Sequence, residues 1–214
     1  MAELTEGMHA GEFIASEAKG TRSREVLTID TGDLVAGQVL GKITKGAATP
    51  AADAGNAADT GTIASAAVGA GAKPGAYRAT CIEPATNAGA FMVTDPDGIE
   101  VGIATVAVEF VGGGLTFTIT DGTTDFSAGE GFTITVAAGS GKCVAFNQDG
   151  TDGTEVAAGI LYDNTDATDA DQEAVAIVRD AEVNGNDLTW PADIEAAEKT
   201  AAIAELAALG IIVR

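Results

Sequence analysis

Between Ala76 and Asn147 the chain is cut into short apolar runs by turn residues, and this limits what it can fold into. The runs read AYRATCI, GAFMVTD, VGIATVAVEF, LTFTIT, GFTITVAA and KCVAFN. Between them stand Thr86-Asn87, Asp95-Pro96-Asp97-Gly98, Gly112-Gly113-Gly114, Asp121-Gly122 and Gly129-Glu130-Gly131. Such punctuation predicts antiparallel strands closing into a sandwich or a barrel. In LTFTIT, Leu115, Phe117 and Ile119 share one face and the threonines take the other; Phe132, Ile134 and Val136 repeat the pattern in FTITV. Each strand thus has one buried and one wet face.

The last third reads as further strands and one helix. VAAGILY (Val156 to Tyr162) is a nearly continuous apolar strand, DNTDATDADQE an acidic loop, and AVAIVRDAEV a strand ending at the turn Asn184-Gly185. Pro191 suits a first helical turn, where its missing N–H has no partner in any case. Asp193, Glu195 and Glu198 lie at the positive end of the dipole. Ile194, Ala197, Ala201 and Ala204 follow helical spacing, widened by Ile203, Leu206 and Ala207. Gly210 is placed to end the helix, and Ile211-Ile212-Val213 is predicted to pair back into the C-terminal sheet.

Residues 25–43 hold two more strands, around the turn Thr31-Gly32-Asp33, with a bend or bulge at Gly37 and Gly41. Two strands are not stable alone, so they are expected to pair with residues 148–214. Residues 47–75, rich in Ala, Gly, Thr and Asp, have little large apolar surface to offset ordering entropy and are expected to be a linker. Residues 1–24 are expected to be a mobile arm with one apolar island, Glu12, Phe13, Ile14, Ala15 and Ser16. That island is either part of a floppy terminus or a strand added to a partner's sheet. The expected organisation is an arm (1–24), one domain (25–46 plus 148–214), a linker (47–75) and an inserted β domain (76–147).

Charge and composition narrow the function classes. The net charge of −21 opposes direct binding to nucleic acid or anionic lipid. Residues 143–214 hold fifteen acidic and three basic residues, net −12, whereas residues 1–46 hold seven and five, net −2. Hydrophobic residues make up 46%, but many are Ala and aromatics reach only 5%, so modest cores or stability gained from a partner are expected. No apolar run is long enough for a membrane span, and the N-terminus lacks the basic and apolar regions of a signal peptide. The protein is expected to stay in the cytoplasm where it is made.

The residues give no catalytic, cofactor or metal set. Gly139-Ser140-Gly141-Lys142-Cys143 imitates the end of a phosphate loop, but Val136 and Cys143 break the pattern, and a hairpin turn accounts for it. The acidic residues from Asp163 to Glu173 lack calcium-loop spacing and a central Gly. His9 is the single histidine and falls in the arm. Cys81 and Cys143 are expected to be buried residues, with a disulfide left open. Trp190 is read as a core or interface anchor.

The C-terminal unit resembles the head decoration proteins of tailed bacteriophages, lambda type. The resemblance is carried by the Gly/Asp turn leading into VAAGILY, the acidic loop, Leu188-Thr189-Trp190-Pro191, the helix starting in acids and the tail Ile211-Ile212-Val213. EFIASEAKGTRSREVLTI is similar to the opening of longer family members. Residues 47–147 depart from the short lambda-type pattern. The expected fold is mainly β with one C-terminal α-helix: a small β-rich decoration-protein domain, as the resemblance implies, carrying the antiparallel sandwich or barrel that the residues predict as an insertion. The resemblance also implies a structural role without catalysis or cofactor: trimers on the outside of the expanded head, clamping the major capsid protein against DNA pressure. The arm residues Glu12 to Ser16 would bind the capsid, and Trp190 and Pro191 would anchor core or trimer. The location implied is the virion exterior. The alternative function is a virion-displayed binding module whose inserted β domain contacts host surface or glycan.

Overall fold

In a computed structural model, which describes residues 7–214, the chain forms two compact units. The first comprises the chain up to Ile43 together with Gly141–Arg214; the second is Thr44–Ser140. In chain order the first unit begins with β1 (Ile14–Glu17), α1 (Gly20–Ser23), β2 (Arg24–Ile29), β3 (Asp33–Leu34) and β4 (Val39–Lys42). The second contains β5 (Lys45–Ala52), β6 (Gly61–Val68), β7 (Gly75–Ala85), β8 (Ala88–Thr94), β9 (Glu100–Thr105), β10 (Glu109–Gly112), β11 (Leu115–Asp121) and β12 (Gly131–Ala138). The first then resumes with β13 (Cys143–Ala145), β14 (Ala157–Leu161), β15 (Thr165–Asp166), β16 (Gln172–Ile177), β17 (Ala181–Val183), α2 (Ala196–Ala208) and β18 (Ile211–Val213). The chain is thus mainly β with one long helix near its C-terminus, as the sequence predicts.

The second unit is one eight-stranded antiparallel sheet in the order β10-β11-β6-β5-β12-β7-β8-β9. Its two end strands meet: a Cβ on Gly112 would lie 2.8 Å from the Val101 carbonyl oxygen, and one on Gly102 would lie 3.0 Å from the Phe110 ring. The result is a nearly closed barrel. Alternation fills its interior. Phe91 meets Phe126 edge-on at 4.9 Å and Phe132 at 6.1 Å, while Phe110 and Phe117 lie 5.0 Å apart. Tyr77 is buried and donates its hydroxyl to the Gly113 carbonyl.

Here the expected linker is corrected. Residues 47–75 hold most of β5 and all of β6, at the centre of the sheet. Small side chains do not disqualify a strand that has partners on both sides: β5 gains its hydrogen bonds from β12 and β6, and the larger residues of other strands supply the core. Gly141 to Phe146 also change sides. Expected in the inserted domain, they belong to the first unit, where β13 pairs with β4 and, in parallel, with β2.

The first unit is built round a closed five-stranded barrel, β13-β2-β16-β14-β4. β2 pairs with β16 and β4 with β14, joining the N-terminal strands to the last third of the chain. A three-stranded sheet, β1-β17-β18, and α2 complete it. β18 runs parallel to β17, and Gly210 stands after the helix at φ +81, a conformation natural to glycine. The helix begins later than expected. Pro191 lies in a preceding turn, accepting from the Ile194 N–H at 3.3 Å, and α2 starts at Ala196 behind a reciprocal capping box of Glu195 and Glu198. Its buried residues are Ala202 and Leu206; the alanines at 197, 201 and 204 face outward.

Candidate functional site

The N-terminal segment was expected to be mobile and ordered only by a partner; its described part, from Gly7 onward, is docked on its own chain, and residues 1–6 lie outside the description. Gly11, at φ +69, donates its N–H to the Tyr162 carbonyl, and a Cβ there would strike the Tyr162 ring at 2.6 Å. The Glu12 N–H donates to the His9 carbonyl, and the Glu12 carboxylate accepts from the His9 N–H at 3.0 Å, closing a tight turn. That turn drives Phe13 into the core, where it is fully buried among Val183, Leu206 and Ile211. β1 follows, antiparallel to β17, with Ile14 opposite Val183 and Glu17 opposite Ala181 and a bulge between. Ile14 is half-buried, and Glu12, Ala15 and Ser16 are exposed. Burial of Phe13, packing of Met8 and Ile14 beside it and the ladder to β17 together offset the entropy of ordering the small neighbours.

Beyond β1 an ionic pin fixes the strand. Glu17 accepts from Ser23 Oγ at 2.7 Å and Arg24 Nε at 3.0 Å, and forms a salt bridge with Arg24. The Arg24 guanidinium lies 4.1 Å above the centre of the Tyr162 ring. Arg24 holds the Glu17 carboxyl below the usual glutamate range, with burial opposing and Ser23 assisting. Arg22 pairs with Asp180 at 2.9 Å, and Arg179 donates to the Arg22 carbonyl. The arginines of the N-terminal stretch therefore meet residues of the acidic last third. Sequence reasoning missed Glu17, Ser23, Arg24 and Tyr162; the clue was two arginines close together in so acidic a chain.

Trp190, the other expected anchor, is half-buried in the same core cluster as Phe13, Ile14 and Met8. Its ring meets Phe146 edge-on at 6.0 Å, and Lys199 Nζ from α2 lies 5.3 Å from its centre. Thr189, just before it, donates to the Gly37 carbonyl and accepts from the Val39 N–H, tying the Trp190 corner to β4. Trp190 Nε1 is buried without a hydrogen-bond partner among the described residues. Arm and tryptophan thus belong to one packed body.

The groups with chemical potential are engaged structurally. Cys81 and Cys143 are buried free thiols in different units, each with its pKa raised chiefly by burial. Asp163 and Asp166 accept from the N–H groups of Asn164 and Thr168, as turn residues do. Among the described residues no group of three or more His, Cys, Asp or Glu is placed to hold a metal ion. No helix among them is long and apolar enough to cross a membrane.

The first unit is thus a segment docked by its own aromatic, an ion-pinned edge strand and a small β barrel with one C-terminal helix. Residues 3–211 match the family described as bacteriophage lambda head decoration protein D, and the chain belongs to that family. It is a structural virion protein of the bacteriophage capsid-decoration class, a class that binds the capsid and is not one of enzymes. A comparison with curated proteins finds no match. Among solved structures, two crystal forms of Xanthomonas campestris FlgL align at 16% and 18% identity. They cover 49% and 50% of this chain and 33% of that one, at a TM-score of 0.34, a likeness too slight to argue from.

Proposed function

We propose that the chain cements the expanded phage head from outside, as trimers bound to the major capsid protein, and holds the shell against the pressure of packaged DNA. The family match across residues 3–211 carries this proposal. The first unit supports it, because β1 is an edge strand presenting exposed Ala15 and Ser16, with exposed Glu12 in the turn before it, while Phe13 and Ile14 hold the segment in place. An edge strand has backbone groups free to continue a sheet on a partner. In this proposal Glu12, Ala15 and Ser16 meet the capsid, Phe13 and Ile14 position them, and Trp190 with Pro191 braces the trimer-forming body. The unit Thr44–Ser140 is an insertion into the shorter family pattern. The chain is made in the host cytoplasm and ends on the virion exterior, without contact to nucleic acid or membrane.

The test adds purified chain to expanded heads lacking it. Expected are density in threes at the three-fold positions of a particle reconstruction and a higher temperature for DNA release. Heads that release DNA at the same temperature with and without bound chain would refute the cementing role. Replacing the exposed Ala15 by aspartate should reduce occupancy while leaving the unfolding midpoint unchanged.

A further inference from the structure

The second unit carries a group of aliphatic side chains that stand exposed among the described residues. Ile103 on β9 and Val111 on β10 are 55% and 72% exposed, Val108 in the turn between them 57%, and Ile99 just before β9 60%. Met92 of β8, half-buried, stands directly opposite Ile103 in the ladder. β9 and β10 are the two ends of the sheet, so these residues line its seam. Single exposed aliphatics are ordinary on protein surfaces, whereas four within residues 99–111 along one seam point to a binding face. On the strands between, many exposed positions are small and uncharged: Thr49, Thr62, Ala64, Thr120 and Thr135. The seam has no room for an inserted strand, because Gly112 abuts Val101 and Gly102 abuts Phe110. An occupant therefore lies on the face.

The charges around the patch select the occupant. Glu100 and Glu109 flank it, both exposed. Nearby Lys73 is engaged by Asp95 at 2.7 Å and Asp97 at 2.6 Å, and Arg78 by Asp53 at 2.9 Å. The unit as a whole holds ten acidic and three basic residues, net −7. A second copy would set the same carboxylates against this rim, and like charges facing across an apolar contact oppose it. The complement is an apolar protein surface with a basic rim. We propose that the face made by Ile99, Ile103, Val108 and Val111 docks on an apolar, lysine- or arginine-rimmed area of the major capsid protein. The chain then has a second hold on the shell besides its N-terminal strand. This rests on the capsid-binding role proposed above.

The test uses the full chain and expanded heads lacking it. The double variant Ile103→Thr/Val111→Thr keeps residues that favour strands, and its unfolding midpoint checks the fold. Its affinity for heads should fall about tenfold or more, as for loss of central apolar contacts. The pair Glu100→Gln/Glu109→Gln should flatten the salt dependence of binding. Heads that bind wild type and the folded threonine variant equally would overturn the inference alone. So would a wild type that self-associates in solution where the variant does not, or patch-dependent binding to host cells with head binding untouched. A wild type that fails to bind heads would overturn the capsid-binding role and this inference with it.

Discussion

Glu17 shows how one side chain decides the state of a whole segment. It lies in β1, yet its partners Ser23 and Arg24 follow in α1 and β2, so the pin closes over a very short loop. Its folded pKa lies below the ordinary glutamate range. Its contribution is therefore complete above that range and is lost as the pH falls through the folded value. The side chain is largely covered and Arg24 is partly open to solvent, so Glu17→Gln should cost about 1–2 kcal/mol of local stability. Hydrogen exchange at Ala18, whose N–H donates to the Asp180 carbonyl, reads this out. Wild-type protection should fall on acidification from neutral pH, while the variant should be less protected at neutral pH and lose less. Parallel pH profiles would show that Glu17 is not the latch. Nothing in the spacing of Glu17, Ser23 and Arg24 announces this pin, because the ring of Tyr162 that completes it comes from far along the chain.

Elements were legible where large residues alternate and illegible where small ones do. β11 and β12 follow directly from LTFTIT and FTITV, since each phenylalanine and isoleucine has one way to face. β5 and β6, mostly Ala, Thr and Gly, show little such contrast, and their strand state is imposed by neighbours. The same weakness misplaced the helix face. Alanines occur so often in α2 that several stripes fit, and the side actually buried is set by Leu206 with Ala202. The helix start was misread because Pro191 is an equally good turn residue, while the capping box lies four residues on. Glu198→Ala should cost about 1 kcal/mol by removing the reciprocal cap. Pro191→Ala should leave helix content unchanged. Circular dichroism and urea unfolding of the two variants check the assignment, and a helix shortened by the proline change would contradict it.

At the scale of the molecule, the chain leaves and re-enters the first unit on paired antiparallel strands. The Ile43 N–H donates to the Lys142 carbonyl and the Gly141 N–H to the Ile43 carbonyl, both at 2.9 Å, so the first unit's two chain ends are already paired. The Gly139 N–H likewise donates to the Thr44 carbonyl in the second. An insertion between paired strands leaves the host ladder intact. Replacing residues 44–140 by Asn-Gly should therefore give a folded first unit with a tight β4–β13 hairpin. Calorimetry should show two transitions for the full chain and one for the excised variant, at the temperature of its counterpart. An excised chain without a cooperative transition would mean that the first unit depends on the second.

By itself the sequence determined the mainly β class, the single long helix, the strands of the aromatic-rich runs and the family, because alternation, turn residues and Trp-Pro with its helix are local or ordered along the chain. Only the tertiary structure decided that Phe13 is a core residue, that the Ala/Thr/Gly stretch is the middle of a sheet, and that Cys143 closes the first barrel rather than the second. Each of those depends on which distant surface a segment meets. Short or small-residue segments carry too little preference of their own to choose it.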